Sequence, residues 1–172
     1  MELRTRQLYL KPCRAADLGA VQELWTDPSV RRFLFDDRCL SGEEAQAILE
    51  RSAVTFQERG YGVWLAFGEG GGPPRGFAGL LESSKGPPNL VVGMKPVWWG
   101  QGLGTEAGRA VLDHAFATLG LQEVMADVDE PNAPSIRMLE KLGMTLRSRA
   151  VVDGRPLLYY GISRDQVPGE PS

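Results

Sequence analysis

The sequence of 172 residues contains a single histidine and only two cysteines, Cys13 and Cys39. The cysteines form no Cys-x-x-Cys pair and have no histidine beside them, so they provide neither a zinc-ligand set nor an activated nucleophile. We therefore predict no metal site and two free thiols. We expect the histidine, His114, to be a packing or surface residue of a helix.

The chain also lacks a long apolar segment and an excess of basic residues. No run approaches the roughly 18 residues that cross a bilayer, and residues 1–6 contain no apolar signal core. We therefore expect a cytoplasmic protein without a membrane partner. Lys and Arg number 19 against 22 Asp and Glu, for a net charge of -3. Because nucleic-acid binding depends on clustered cations, nucleic acid is not predicted as a partner.

Hydrophobic periodicity predicts one domain over residues 1–163, followed by a flexible C-terminal tail over residues 164–172. The predicted order is one strand, two helices, three strands, a helix, a strand, a helix and two strands. That order is typical of an α+β fold with a mixed, mostly antiparallel sheet of about seven strands and about four helices. The predicted strands cover residues 5–12, 61–67, 76–82, 90–94, 122–128, 144–152 and 155–162. The predicted helices cover residues 15–25, 41–60, 107–119 and 132–142, with a short helix from Ser29 to Phe35.

Short local patterns set some of the predicted ends. Ser41-Gly42-Glu43-Glu44 is a capping box that opens a helix, and Gly60 closes it. Asp153-Gly154 between two alternating runs predicts a hairpin. The glycine-rich run 68–76 predicts a flexible turn rather than a phosphate loop, because two prolines remove N–H donors and no helix follows.

The segment Val97-Trp98-Trp99-Gly100-Gln101-Gly102-Leu103-Gly104-Thr105-Glu106-Ala107 lies between an apolar strand and an amphipathic helix. Glycines let backbone N–H groups approach an anion, and a helix start presents unpaired N–H groups and a positive dipole end. The segment therefore predicts a site for a phosphate-bearing cofactor. Trp98 and Trp99 are interpreted as core or wall residues.

Two cofactor classes fit this segment poorly. A nucleotide-triphosphate loop needs a lysine after its last glycine, and Thr105 stands there. A dinucleotide fold needs Gly-x-Gly-x-x-Gly/Ala, which residues 102–107 match, with Asp127 about 20 residues on as a ribose-binding acid. The remaining chain, however, ends in an antiparallel hairpin and is too short for a second mononucleotide half. A dinucleotide-binding enzyme stays the weaker alternative.

A second motif, Asn132-Ala133-Pro134-Ser135 followed by Leu139-Glu140-Lys141-Leu142-Gly143-Met144, lies one strand later. With the glycine segment and the opening Thr5–Pro12, it resembles the GCN5-related N-acetyltransferase (GNAT) family. It is most similar to the ribosomal-protein N-terminal acetyltransferase branch. The resemblance runs from residue 5 to about residue 162. One departure is that Trp99 stands where the family pattern Gln/Arg-x-x-Gly-x-Gly/Ala begins.

The resemblance implies acetyl-CoA as co-substrate and a sheet that splays between its fourth and fifth strands. It implies that the pantetheine arm lies against the fourth strand at Val92 and Met94, and that Asn132 and Ser135 face the arm and the sulfur. The implied pyrophosphate contacts are the N–H groups of Gln101, Gly102, Leu103, Gly104 and Thr105.

The implied reaction is direct transfer of an acetyl group to a primary amine, either a protein N-terminus or a small cationic amine. For the proton donor to the leaving thiolate, the resemblance points to Ser135 or Asn132, because Leu139 stands where many relatives have a tyrosine. Tyr159 and Tyr160 are further candidates, and strand alternation predicts that one of them faces inward.

Several carboxylates are candidates for the general base and for acceptor binding. Glu82 is the first candidate base, followed by Asp127 and Asp129, and a water chain without a dedicated base stays open. Acidic residues on the early helices favour a cationic acceptor: Asp36, Asp37, Glu43 and Glu44. A non-catalytic acyl-CoA sensor is the main alternative function, and the resemblance allows a homodimer.

Overall fold

The computed structural model describes residues 1–31 and 39–167, which contain five α-helices and eight β-strands. The strands are β1 (Leu3–Arg4), β2 (Leu8–Pro12), β3 (Val63–Gly68), β4 (Gly71–Ser83), β5 (Gly86–Met94), β6 (Glu123–Asp129), β7 (Thr145–Val152) and β8 (Arg155–Ser163). The helices are α1 (Leu18–Thr26), α2 (Pro28–Arg31), α3 (Gly42–Arg59), α4 (Leu103–Asp113) and α5 (Ala133–Lys141).

The eight strands form one sheet in the order β1-β2-β3-β4-β5-β6-β8-β7. Every neighbouring pair is antiparallel except β5 and β6, which are parallel and are connected through α4. The predicted mixed, mostly antiparallel sheet is therefore confirmed, with β1 as the one strand beyond the seven predicted. The short helix α2 begins at Pro28, one residue before the short helix predicted from Ser29.

Each face of the sheet is covered by helices. Alternating strand residues such as Leu90 and Met94 enter a core beneath α4 and α5, together with Ala107 and Leu139. The opposite face packs against α1 and α3, where Phe77 meets the edge of the Trp25 ring at 6.0 Å. In the described part of the chain, no helix is long and apolar enough to cross a bilayer.

The predicted local patterns appear as expected. The Glu44 N–H donates to Ser41 Oγ at 3.1 Å, and the Glu44 carboxylate accepts from the Ser41 N–H at 2.9 Å. Gly60 ends α3 with φ of 82°. Asp153 and Gly154 both have positive φ, 50° and 77°, as a two-residue hairpin turn with the right-handed strand twist requires.

The glycine-rich run 68–76 differs from its prediction. The turn is shorter, because β4 already begins at Gly71, which is registered opposite Gly68. Pro73 and Pro74 fall within a bulged stretch of β4 that has no registered partner, so their missing N–H groups interrupt no ladder.

Two other chain segments also differ from the prediction. Helix α4 ends at Asp113, and His114–Thr118 continue as a π-helical turn. The 3-10 turn Arg164–Gln166 lies within the predicted tail. The end of the predicted helix at Phe35, and residues 168–172, lie outside the described residues.

His114 is a packing residue. Its side chain is buried, its Nε2–H donates to the Gly60 carbonyl at 2.9 Å, and its ring meets the edge of Trp64. Both cysteines are free thiols: Cys13 is buried and Cys39 is exposed. Burial raises the pKa of the Cys13 thiol to about 12, which keeps it protonated and unreactive.

Candidate active site

The most distinctive feature of the sheet is an opening between β5 and β6. These two parallel strands are registered at one position within the described residues, Asn89 opposite Met125. Beyond that pair, towards the C-terminal ends of both strands, no ladder joins them. The predicted splay between the two central parallel strands is therefore present.

The hydrogen bonding of β5 to β4 decides which peptide groups face this opening. Lys95 N–H donates to the Arg75 carbonyl at 2.9 Å, and hydrogen-bonded pairs alternate along an antiparallel ladder. The peptide groups of Leu90, Val92 and Met94 consequently point away from β4 and towards β6. Val92 lies beyond the one registered pair, so within the described residues its N–H and C=O have no ladder partner on β6.

The glycine segment, residues 97–107, lies at the open, C-terminal end of the β5–β6 pair, which we call the mouth of the opening. Gly100 and Gly102 have φ of 78° and 75°, and Gly102 is the N-cap of α4. The first backbone bond into the helix is from Glu106 N–H to the Gly102 carbonyl at 3.0 Å. In the described structure, the N–H groups of residues 100–105 donate to no protein acceptor. A row of unpaired donors at a helix start favours an anion such as a pyrophosphate.

Close packing brings α4, α5 and β5 together just behind this mouth. A Cβ atom at Gly104 would lie 3.4 Å from Met138 Sδ and 3.7 Å from a Val92 methyl. One turn later, a Cβ at Gly108 would lie 2.9 Å from a Leu142 methyl, closer than real Cβ atoms approach. The small residues at these positions therefore set how closely the helix approaches the open strand.

The start of α5 lies at the C-terminal end of β6, on the other side of the opening. The Asn132 side chain is buried, and its Oδ1 accepts from the Ser135 N–H at 3.2 Å. Asn132 is therefore a helix N-cap, as its position predicts. The Ser135 side chain is partly exposed, and its hydroxyl has no hydrogen-bond partner among the described residues.

Glu82 lies near the closed end of the opening, where Asn89 of β5 is still paired with β6. It directly follows Leu81, which is registered opposite Asn89. Its carboxylate accepts from Arg51 and forms an ion pair with Arg59 at 3.0 Å. The hydrogen bond from Arg51 holds the pKa of this carboxyl below its ordinary value. Glu82 is therefore ionised near neutral pH but is a weaker base than a free glutamate.

The other two candidate bases lie on β6. Asp127 is exposed, is registered opposite Tyr159, and follows the Asn89–Met125 pair by two residues of β6. Asp129 is buried at the end of the strand. The structure thus places one solvent-accessible carboxylate, Asp127, beside the unpaired part of β6.

Of the two adjacent tyrosines, Tyr160 faces the core and is 4% exposed, which confirms that one of the pair points inward. Burial raises the pKa of its phenol, which stays protonated near neutral pH. Of the acidic residues predicted to favour a cationic acceptor, Glu44 is held in the capping box and Glu43 is exposed. Asp36 and Asp37 lie outside the described residues.

Glu106, a residue with no predicted role, anchors the N-terminal segment to the glycine segment. Its carboxylate accepts from the Thr5 hydroxyl, from the Gln7 N–H at 2.6 Å and from the Gln7 side-chain amide at 2.8 Å. Burial raises the pKa of this carboxyl, but the three hydrogen bonds outweigh burial and leave the pKa below its ordinary value. The carboxylate is therefore held in its ionised form by donors of the same chain. The residues involved are far apart in sequence, so no local pattern indicates the contact.

Comparison with known proteins agrees with this geometry. A family model described as acetyltransferase (GNAT) domain matches residues 7–145. Spermidine N(1)-acetyltransferase of Escherichia coli K12 is 26% identical over 139 residues, which cover 80% of this chain and 72% of that protein.

Two solved structures share the fold. The Vibrio fischeri ribosomal-protein-S5-alanine acetyltransferase aligns with a TM-score of 0.80 at 12% identity, over 98% of this chain and all (100%) of that chain. The putative acetyltransferase yncA of Salmonella typhimurium, solved with acetyl-CoA, aligns with a TM-score of 0.75 at 21% identity, over 96% of this chain and 98% of that chain. The predicted fold is confirmed by these alignments.

Proposed function

The chain belongs to the GNAT acetyltransferase family, and we propose that it transfers the acetyl group of acetyl-CoA directly to a primary amine, either a protein N-terminus or a small cationic amine. One observation carries this proposal. The unpaired N–H groups of residues 100–105 and the unpaired peptide groups of Val92 lie at the same open end of the β5–β6 pair.

These two sets of groups suit the two parts of CoA. The pyrophosphate would accept from the N–H groups of residues 101–105, and the amide-bearing pantetheine arm would pair with Val92 as an added strand does. Met94 would line the arm through its side chain, which packs in the core next to Gly104. An open surface groove of about 700 Å³, bordered by residues 2–5 and one face of α4, adjoins Gly102 and Thr105.

Acetyl transfer in this site requires three protein groups besides the two substrates. They are a base for the amine, a donor to the negative charge on the carbonyl oxygen and a proton donor to the sulfur. The neutral amine nitrogen attacks the thioester carbon, the C–S bond breaks, and the thiolate sulfur receives a proton. The arm would pair through the Val92 C=O, which leaves the Val92 N–H to stabilise the negative charge that develops on the thioester carbonyl oxygen. The Ser135 hydroxyl and the Asn132 side-chain amide are the proposed donors to the sulfur.

Removal of the ammonium proton is assigned to Glu82 or to Asp127, directly or through water. Glu82 is favoured by its position near the closed end of the opening, towards which the thioester would point from the mouth. Asp127 is favoured by its exposure and its freedom from the arginine pairs that hold Glu82. Asp129, which is buried at the strand end, is the third candidate.

Exposed carboxylates and the names of two relatives both favour a cationic amine as the acceptor. The E. coli relative is a spermidine acetyltransferase, and the Vibrio structure is an acetyltransferase for an alanine of a ribosomal protein. Exposed Glu43 and Asp127 would attract a positively charged amine.

A cytoplasmic location is proposed on the free thiols of Cys13 and Cys39, and a homodimer is proposed on the family resemblance alone.

The test is release of free CoA thiol from acetyl-CoA across a panel of amines, including spermidine, other polyamines, aminoglycosides and peptides with N-terminal alanine or serine. Amine-dependent thiol release with a matching acetylated product supports transfer. CoA binding without thiol release for any amine would favour a non-catalytic acyl-CoA sensor. Binding of NAD(P) in place of CoA would favour the dinucleotide-binding alternative.

A further inference from the structure

We infer that Trp99 is a positioning residue for CoA, because its indole N–H fastens the glycine segment to the open strand β5. The inference rests on the proposed function, since it concerns the same cofactor site. It assigns a specific role to the residue at which the chain departs from the family pattern.

The contact is a hydrogen bond from Trp99 Nε1–H to the Met94 carbonyl at 2.8 Å. The alternation set by the Lys95–Arg75 bond turns this carbonyl towards the opening. The indole N–H therefore meets β5 at the open end of the β5–β6 pair, two residues beyond Val92, and Trp99 directly precedes residues 100–105 in the chain.

Burial alone does not explain why the ring is held there. Trp99 is 56% exposed, and its neighbour Val97 is 74% exposed. Trp98, in contrast, packs against the core, and the Arg75 guanidinium lies over its ring at 3.9 Å from the ring centre. The bond to Met94 is thus the hydrogen bond that the structure gives the Trp99 side chain, beside the backbone bond from Trp99 N–H to the Pro96 carbonyl. It connects the chain just before residues 100–105 to the end of β5.

The bond has two consequences for CoA. It restrains the backbone immediately before Gly100, so the donors of residues 100–105 are oriented before the pyrophosphate arrives, and less conformational entropy is lost on binding. It also occupies the last carbonyl of β5 that faces the opening, so that backbone pairing with the arm begins at Val92.

The test compares three variants by calorimetry with CoA as the ligand. Trp99→Phe keeps an aromatic ring and removes the N–H, and Trp99→Gln restores a donor of similar reach. Val97→Ala is the matched control, because it changes an exposed apolar residue of the same segment that makes no side-chain hydrogen bond. Thermal unfolding of each variant checks that the fold is retained.

We expect Trp99→Phe to raise the Kd for CoA about fivefold, the effect of one net hydrogen bond, and Trp99→Gln to recover most of that loss. With an accepted amine, Trp99→Phe should raise the KM for acetyl-CoA by a similar factor and change kcat less than twofold. Val97→Ala should bind CoA as the wild type does.

Three results would overturn the inference. In the first, wild-type and Trp99→Phe proteins bind CoA equally, and only the role of Trp99 is refuted. In the second, Trp99→Gln binds no better than Trp99→Phe, so the loss does not come from the donor. In the third, the wild type binds no CoA, and the proposed function fails together with this inference.

Discussion

The side-chain oxygen of Asn132 accepts a hydrogen bond from the backbone N–H of Ser135 at 3.2 Å. This contact caps α5 with Oδ1 and leaves the Nδ2 amide group of Asn132 without a described protein partner. The same residue can therefore serve the helix with one atom and the cofactor with another. That division makes the structural and the functional role of Asn132 separable by substitution.

Asn132→Asp keeps the capping oxygen and removes the amide donor, whereas Asn132→Ala removes both. Asn132→Ala should lower the free energy of unfolding by about 1 kcal/mol, and Asn132→Asp should leave it nearly unchanged. If the Nδ2 group donates to the arm or to the sulfur, both variants should lose activity by at least about tenfold, the effect of about 1.4 kcal/mol. Urea unfolding and thiol-release kinetics measure the two effects. Full activity in a stable Asn132→Asp protein would limit Asn132 to capping.

Ser135→Ala tests the proposed proton donor. Its hydroxyl has no protein partner in the described structure, so its removal should leave stability within about 0.5 kcal/mol of the wild type. Loss of a general acid should lower kcat by about 100-fold or more, with little change in the KM for acetyl-CoA. Ser148→Ala on the exposed strand β7 is the control and should be fully active. Unchanged kcat in Ser135→Ala would assign the proton transfer to another group, with Tyr160 tested next as Tyr160→Phe.

Glu82 gives a pH prediction whose sign follows from its arginine partners. Its folded pKa is lowered, so its ion pairs stabilise the fold above the ordinary glutamate pKa, and that contribution is lost as pH falls through the lowered value. Arg51→Ala should let the pKa of Glu82 rise towards the ordinary value. If Glu82 is the base, the acid limb of kcat/KM should then move to higher pH.

The matching substitution for the base is Glu82→Gln, with Glu58→Gln as an exposed control on α3. Glu82→Gln should lower kcat at least about tenfold if Glu82 removes the amine proton. An unshifted acid limb in Arg51→Ala, together with an active Glu82→Gln protein, would transfer that role to Asp127, which Asp127→Asn tests in the same assay.

Glu106 gives a prediction about stability. Its carboxylate accepts from Thr5 and Gln7, and its folded pKa lies below the ordinary value, so its contribution is complete above about pH 5 and is lost as pH falls through the folded pKa. Glu106→Gln keeps one accepting oxygen for Thr5 and the Gln7 N–H but turns an amide N–H₂ group towards the Gln7 side-chain amide, and it should lower the free energy of unfolding by about 1–3 kcal/mol at pH 7. Urea titrations of both proteins from pH 3 to pH 7 measure this. The difference should shrink towards acidic pH, and a difference independent of pH would contradict the role of the charge.

Sequence patterns predicted the parts of the fold that depend on neighbouring residues. The Ser41–Glu44 capping box, the end of α3 at Gly60 and the Asp153-Gly154 turn each depend on a few consecutive side chains, and each is present. The splay of β5 from β6 came from the family resemblance instead, because no local property of residues 90–94 requires it.

Contacts between distant segments could not be predicted in this way. Glu106 meets Thr5 and Gln7 across about 100 positions, and Glu82 meets Arg51 on another element. The same limit applies to Trp99. The sequence shows its position in the motif. Its bond to Met94, however, depends on which carbonyls of β5 point away from β4.

The most direct test of the account is calorimetry of CoA with the wild type, Gly104→Glu and Gly104→Ala. The Cβ position at Gly104 points towards Val92, Met94 and Met138, so a glutamate there would fill the space behind the glycine segment. An alanine meets its neighbours at 3.4 Å or more and should be accommodated. We predict one CoA site in the wild type, retained binding in Gly104→Ala and no detectable binding in a folded Gly104→Glu protein. Undiminished CoA affinity in folded Gly104→Glu, or wild-type binding of NAD(P) without CoA, would contradict the placement of acetyl-CoA at this site.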